Sequence, residues 1–173
     1  MIIKNCIITK SDSTILKDWS ISGKDIHTGI DLSAHNVYSP CYGVVVQILN
    51  SMHDNKIVVI QYNESTCIRY ANLSSVEVKI NQSVVEGELI GHCTKYVHVE
   101  LLSTTIDQNM LDQIIYKLPV RVKSKTYFRS SPIDLVMGKT EFPLSGITQM
   151  TFINPTTPLP KLENISSEFG DNR

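Results

Sequence analysis
Apolar and polar side chains alternate in short runs through most of the first 130 residues, with turn-forming residues between the runs. Residues 1–9 read as a first strand, and Ser11-Asp12-Ser13 as the turn that ends it. Tyr42 to Leu49 is strongly β-branched, and residues 50–56 connect it as a hairpin to the apolar run Ile57 to Tyr62. Asn63-Glu64-Ser65 turns the chain into Cys67 to Ala71. Val76-Glu77-Val78-Lys79-Ile80 alternates strictly, as a half-exposed strand does. Glu86-Gly87-Glu88 marks a turn before Leu89-Ile90-Gly91, and further strands run from about Tyr96 to Leu102 and from Arg121 to Phe128. Ile15 to Ser22 fits no single period, with Trp19 as its packing anchor. Helical spacing occurs at Asp107 to Tyr116, where Met110, Leu111, Ile114 and Ile115 recur and Thr105 or Asp107 can cap the start. The pattern predicts a mainly β fold, an antiparallel β-sandwich or barrel-like sheet with one short helix.

The periodicity ends near Pro143. Pro143, Pro155, Pro158 and Pro160 break any regular element, which divides the chain into a domain over 1–142 and an extended C-terminal arm over 143–173. Phe142, Leu144, Ile147, Met150, Phe152, Ile153 and Leu159 make that region too apolar for a linker. It is expected to lie on its own domain or on a neighbouring subunit.

Composition narrows the function classes. Sixteen basic and 17 acidic residues give a net charge of -1, with no block of like charge. That provides no electrostatic case for binding nucleic acid or an anionic membrane. No apolar run is long enough to span a bilayer, and Lys4 and Asn5 interrupt the apolar start, so no signal peptide is expected. Cys6, Cys41, Cys67 and Cys93 form no Cys-x-x-Cys pair and read as small buried side chains.

Candidate chemistry lies in two stretches, His27-Thr28-Gly29-Ile30-Asp31 and Lys95-Tyr96-Val97-His98-Val99-Glu100. Strand alternation puts Tyr96, His98 and Glu100 on one face, and a turn at Gly29 can bring His27 and Asp31 together. Two imidazoles and one carboxylate are a usual set for zinc, with a fourth position left for water. Glu100 either supports these ligands or is solvated. His35, His53 and His92 read as loop histidines, with His92 alone near enough in sequence to supply a base.

Residues from about 24 to 102 resemble the lysostaphin/LytM-type zinc endopeptidases, which cut peptide cross-links in bacterial cell walls. His27-Thr28-Gly29-Ile30-Asp31 is similar to that family's His-x-Gly-[Ile/Val]-Asp, and Pro40-Cys41-Tyr42-Gly43-Val44-Val45 to its strand entry. Tyr70-Ala71-Asn72-Leu73 stands where the family has Tyr-Ala-His-Leu. Residues 78–91 follow its Gly- and Val-spaced segment ending in Ile-Gly. Tyr96-Val97-His98-Val99-Glu100 stands where it has His-Leu-His-Phe-Glu. Ser131-Pro132-Ile133-Asp134-Leu135 corresponds to its closing Pro-containing segment. The resemblance implies His27, Asp31 and His98 as zinc ligands. It places the two catalytic histidines at Asn72 and Tyr96, where both are replaced, and the loop after Gly91 is short. Asn cannot take a proton, and a tyrosine hydroxyl with its pKa near 10 is a poor base at neutrality.

The expectation is therefore a degenerate peptidoglycan-endopeptidase-like domain that still binds zinc. A wall-directed domain without an export signal fits a structural component of a cell-puncturing device: a phage tail, tailocin or contractile injection baseplate. Such a device is assembled in the cytoplasm and acts at the bacterial wall. Its partners would be other subunits, met through the arm, and peptidoglycan. The alternative is an active zinc endopeptidase that uses Tyr96 and another base.

Overall fold
The computed structural model describes residues 1–22, 25–104 and 119–138. The expected helix at Asp107–Tyr116 and the arm at 143–173 lie outside the described residues. The strands are β1 (Ile2–Cys6), β2 (Ser11–Lys17), β3 (Ser20–Ser22), β4 (Asp25–His27), β5 (Ile30–Ser33), β6 (Asn36–Tyr38), β7 (Gly43–Asn50) and β8 (Lys56–Asn63). They continue as β9 (Thr66–Leu73), β10 (Ser75–Val76), β11 (Ser83–Val84), β12 (Leu89–His92), β13 (Tyr96–Ser103), β14 (Val120–Val122) and β15 (Lys125–Ser130). A single helical turn, α1 (Ile133–Val136), follows them.

All strand pairs are antiparallel. The main sheet runs β1-β2-β5-β13-β9-β8-β7-β11, and β15 pairs with β13 and β14 to extend it. It stays open, with β1 and β11 at its ends, so the fold is a sheet-rich sandwich and not a closed barrel. A smaller sheet, β10-β12-β6, and the hairpin β3-β4 complete it.

Two faces with different chemistry follow from the alternation. Val97, Val99 and Leu101 of β13 join Ile68 and Tyr70 of β9, Val58 and Ile60 of β8, and Ile30 and Leu32 of β5 in the principal core. Burying each such side chain contributes about 1.5–3 kcal/mol. On the opposite face Leu102, Cys67, Ala71 and Val59 form a second cluster, covered by Val120 and Val122 of β14 and Tyr127 of β15. Tyr96, His98 and Glu100 belong to this second face, because they alternate with the core valines. The strand that carries the candidate chemistry is thus anchored by its odd-numbered positions.

The sequence reading misplaces two elements. The first turn falls at residues 7–10 and not at Ser11-Asp12-Ser13, which lie inside β2. Asn5 (φ 53°) and Lys10 (φ 57°) adopt left-handed backbone, and Lys10 N–H donates to the Cys6 carbonyl at 2.7 Å. Only Ser75 and Val76 pair as a strand, so Val76–Ile80 is not the expected continuous one. Glu77 N–H still donates to Ile90 O, but Asn81 at φ 70° and a Gln82 to Lys79 bond turn the chain away. Among the described residues the one helix is α1. The four cysteines are free, and Cys6, Cys67 and Cys93 are buried as expected. Burial pushes the Cys67 thiol up to about 12, so it behaves as an apolar side chain.

Candidate metal centre
His98 faces Asp31 directly across the β13–β5 ladder, and the next same-face pair is Tyr96 with Ser33. His27 arrives from the neighbouring hairpin, where it pairs with Ser20. The chain returns from His27 to β5 through Thr28 and Gly29, and Gly29 has φ +131°. A Cβ there would sit 2.5 Å from the Val99 carbonyl oxygen and 2.8 Å from His98 Nε2. Glycine is required on both counts, since the backbone touches the strand that holds the other histidine.

The three expected ligands are brought together. One donor atom from each of His27, Asp31 and His98 lies within 4.8 Å of the others, and all three residues are buried. His27 Nδ1 donates to the Asp18 carbonyl at 2.9 Å, which leaves the Nε2 lone pair facing Asp31 Oδ1 at 3.3 Å. That Nε2 is buried and makes no hydrogen bond. His98 Nε2 meets two acceptors, the Thr28 carbonyl at 3.0 Å and Glu100 Oε1 at 3.0 Å, so it carries a proton. His98 Nδ1 then points at Asp31 Oδ1, 2.6 Å away. A lone pair and a carboxylate oxygen this close need positive charge between them, supplied by a proton or a metal ion. An orphaned imidazole nitrogen, a second imidazole facing the same carboxylate and a His2Asp donor set suit zinc.

Burial pushes the Asp31 carboxyl up, but the His27 and His98 imidazoles outweigh it and hold it well below the usual carboxylate range. Glu100 is fully buried on the same face. Burial again acts upward, and the His98 bond, Arg69 and Arg129 together bring the carboxyl far below its ordinary value. An isolated buried carboxylate costs several kcal/mol, and these partners offset that cost.

Asn72 and Tyr96 occupy the positions given to the catalytic histidines. Asn72 lies near the end of β9 at φ 67°. Its Nδ2 donates to the Tyr96 carbonyl at 2.9 Å, and its Oδ1 accepts from Asn55 Nδ2 at 2.7 Å. Tyr96 opens β13, half-buried, on His98's face. His92 is elsewhere: on β12 it contacts Asn36 at 2.8 Å and Glu77 at 3.3 Å, away from the three ligands. The sequence reading missed Arg69, Arg129 and the enclosure of Glu100. One signal was present, an arginine inside the apolar run Cys67-Ile68-Arg69-Tyr70-Ala71.

An open antiparallel β fold with a His–Asp–His cluster gathered from β4, β5 and β13 defines a metallopeptidase-like domain. Residues 25–109, just under half of the chain, match Peptidase family M23. Solved structures with the same fold include lysostaphin, determined by NMR in solution (14% identity, TM-score 0.53, 84% of this chain and 57% of that one). A zinc containing peptidase from Vibrio cholerae is similar at 23% identity and TM-score 0.51, over 60% of this chain and 37% of that one. The cbpa protein of L. salivarius REN gives 20% identity and TM-score 0.50, over 73% and 88%. This chain therefore corresponds to little more than half of lysostaphin and a smaller share of the Vibrio protein. No curated protein matches the sequence. Among the described residues no helix is long and apolar enough to cross a membrane.

Proposed function
We propose that this is a degenerate peptidoglycan-endopeptidase-like domain that holds zinc through His27, Asp31 and His98 without efficient hydrolysis. The observation that carries the reading is the contrast between those convergent donors and Asn72. The Asn72 amide is engaged by Asn55 and the Tyr96 carbonyl, and an amide takes no proton at any useful pH. Zinc bound at the three ligands would polarise a carbonyl and acidify a bound water. The chain's own residues supply little else: Tyr96 can donate a hydrogen bond to an oxyanion but is a weak base. Losing one positioned base typically removes about 10²- to 10⁴-fold of rate.

Purified, zinc-supplemented protein is therefore expected to solubilise peptidoglycan no faster than its His98→Ala variant. Robust, chelator-sensitive lysis would overturn this reading and make the protein an active endopeptidase. Metal analysis on the same preparation tests the zinc half separately.

The finer proposal is a structural role in a cell-puncturing assembly. It rests on the apolar residues after Phe142 and on a wall-directed domain type that has lost its base. Genes for tail tube and sheath subunits are expected beside its own. A neighbourhood made only of housekeeping wall enzymes would count against the assembly role and leave the zinc reading intact.

A further inference from the structure
We propose that Glu100 is a positioning residue for the metal centre, fixing His98 in the tautomer that ligates, with Arg69 and Arg129 fixing Glu100 in turn. The inference rests on the zinc reading above and says how this chain maintains it. Glu100 divides its two oxygens between two tasks. Oε2 accepts from Arg69 Nη1 at 3.3 Å and from Arg129 Nε at 3.1 Å. Oε1 accepts from His98 Nε2 at 3.0 Å and from Thr28 Oγ1 at 3.4 Å. The arginines come from β9 and β15, strands that flank β13, so the carboxylate is gripped from both sides of the strand that bears it.

The consequence for His98 is a matter of proton position. With the Glu100 oxygen and the Thr28 carbonyl both facing Nε2, the neutral ring keeps its proton there and presents the Nδ1 lone pair to Asp31 and the ion. A merely structural Glu100 would neutralise two arginines and have no effect on this choice. The two roles separate in Glu100→Gln. The arginines donate only, so they claim the amide oxygen and turn the NH2 toward His98. A donor facing Nε2 favours the ring with its proton on Nδ1, which has no lone pair for the metal.

The experiment compares wild type and Glu100→Gln by zinc competition titration against a chromophoric chelator. Long-range 1H–15N spectra of the histidines are recorded on both proteins. Wild type loaded with zinc should show His98 bound through Nδ1, with a slowly exchanging proton on Nε2. Glu100→Gln should stay folded in the zinc-free state, bind zinc about 10- to 100-fold more weakly, and shift the His98 nitrogens toward the Nδ1–H pattern. Equal zinc affinity in both proteins overturns the inference and leaves the zinc site standing. Wild type that takes up no zinc overturns both. Should the variant fail to fold, the wild-type spectrum decides: His98 bound through Nε2 excludes a proton there and overturns the inference.

Discussion

Gly29→Ala is expected to abolish zinc uptake and to lower stability by about 2–6 kcal/mol. Strain at a backbone angle that L side chains rarely adopt contributes about 1–3 kcal/mol. Forcing a methyl into filled space contributes about as much again. The methyl would meet the Val99 carbonyl oxygen at 2.5 Å and the His98 ring at 2.8 and 2.9 Å, and none of these can move freely. Val99 is held in the ladder opposite Ile30, and His98 is held by Thr28, Glu100 and Asp31. The turn must therefore open, and opening it separates His27 from Asp31. Urea unfolding with equilibrium dialysis against zinc reads both effects. A variant with wild-type midpoint and full zinc content would show that the close approach at Gly29 is not needed.

Zinc itself should be the second large lever on stability. An ion bound only by the folded chain adds about 2.7 kcal/mol when free zinc is 100 times its dissociation constant. The Tm measured by calorimetry should rise with zinc, fall back with chelator, and stay flat in Asp31→Ala. Acid should erase the effect, since protons compete with the ion for the imidazoles. A separate acid sensitivity belongs to the carboxylates. The folded values of Asp31 and Glu100 are depressed below their ordinary 3.8 and 4.5. Their contribution is thus complete above those ordinary values and is lost as pH falls below them toward the folded values. Zinc-free protein should hold its Tm from neutrality down to about pH 5 and lose it beneath about pH 4. A Tm that rises on acidification through that window would contradict the buried ionised pair.

The core of this arrangement was legible in the sequence because strands have a period of two. Alternation alone set His98 and Glu100 on one face and the valines of β13 on the other, and Gly29 marked the turn between His27 and Asp31. What alternation cannot report is whether a face is covered. Glu100 is enclosed by Arg69, 31 residues away, and Arg129, 29 residues away, so nothing in its local pattern separates a buried carboxylate from a solvated one. The misplaced first turn has a local cause: Lys10 takes a left-handed backbone, which a lysine gives no sign of. Val76–Ile80 alternates like a strand, yet the left-handed Asn81 and the turn at Gln82 take it off the ladder.

Two holders of the centre come from beyond the stretch that family M23 matches. The carbonyl that orients His27 belongs to Asp18, ahead of residue 25, and the guanidinium of Arg129 lies past residue 109. A recombination event, or an engineer, cutting at the family's borders would carry off all three ligands and leave behind two of the groups that aim them. The transplant would keep the motif and inherit a Glu100 short of one cation. For this chain the unit that builds the proposed metal centre runs from Asp18 to Arg129, wider than the segment 25–109 that matches the family.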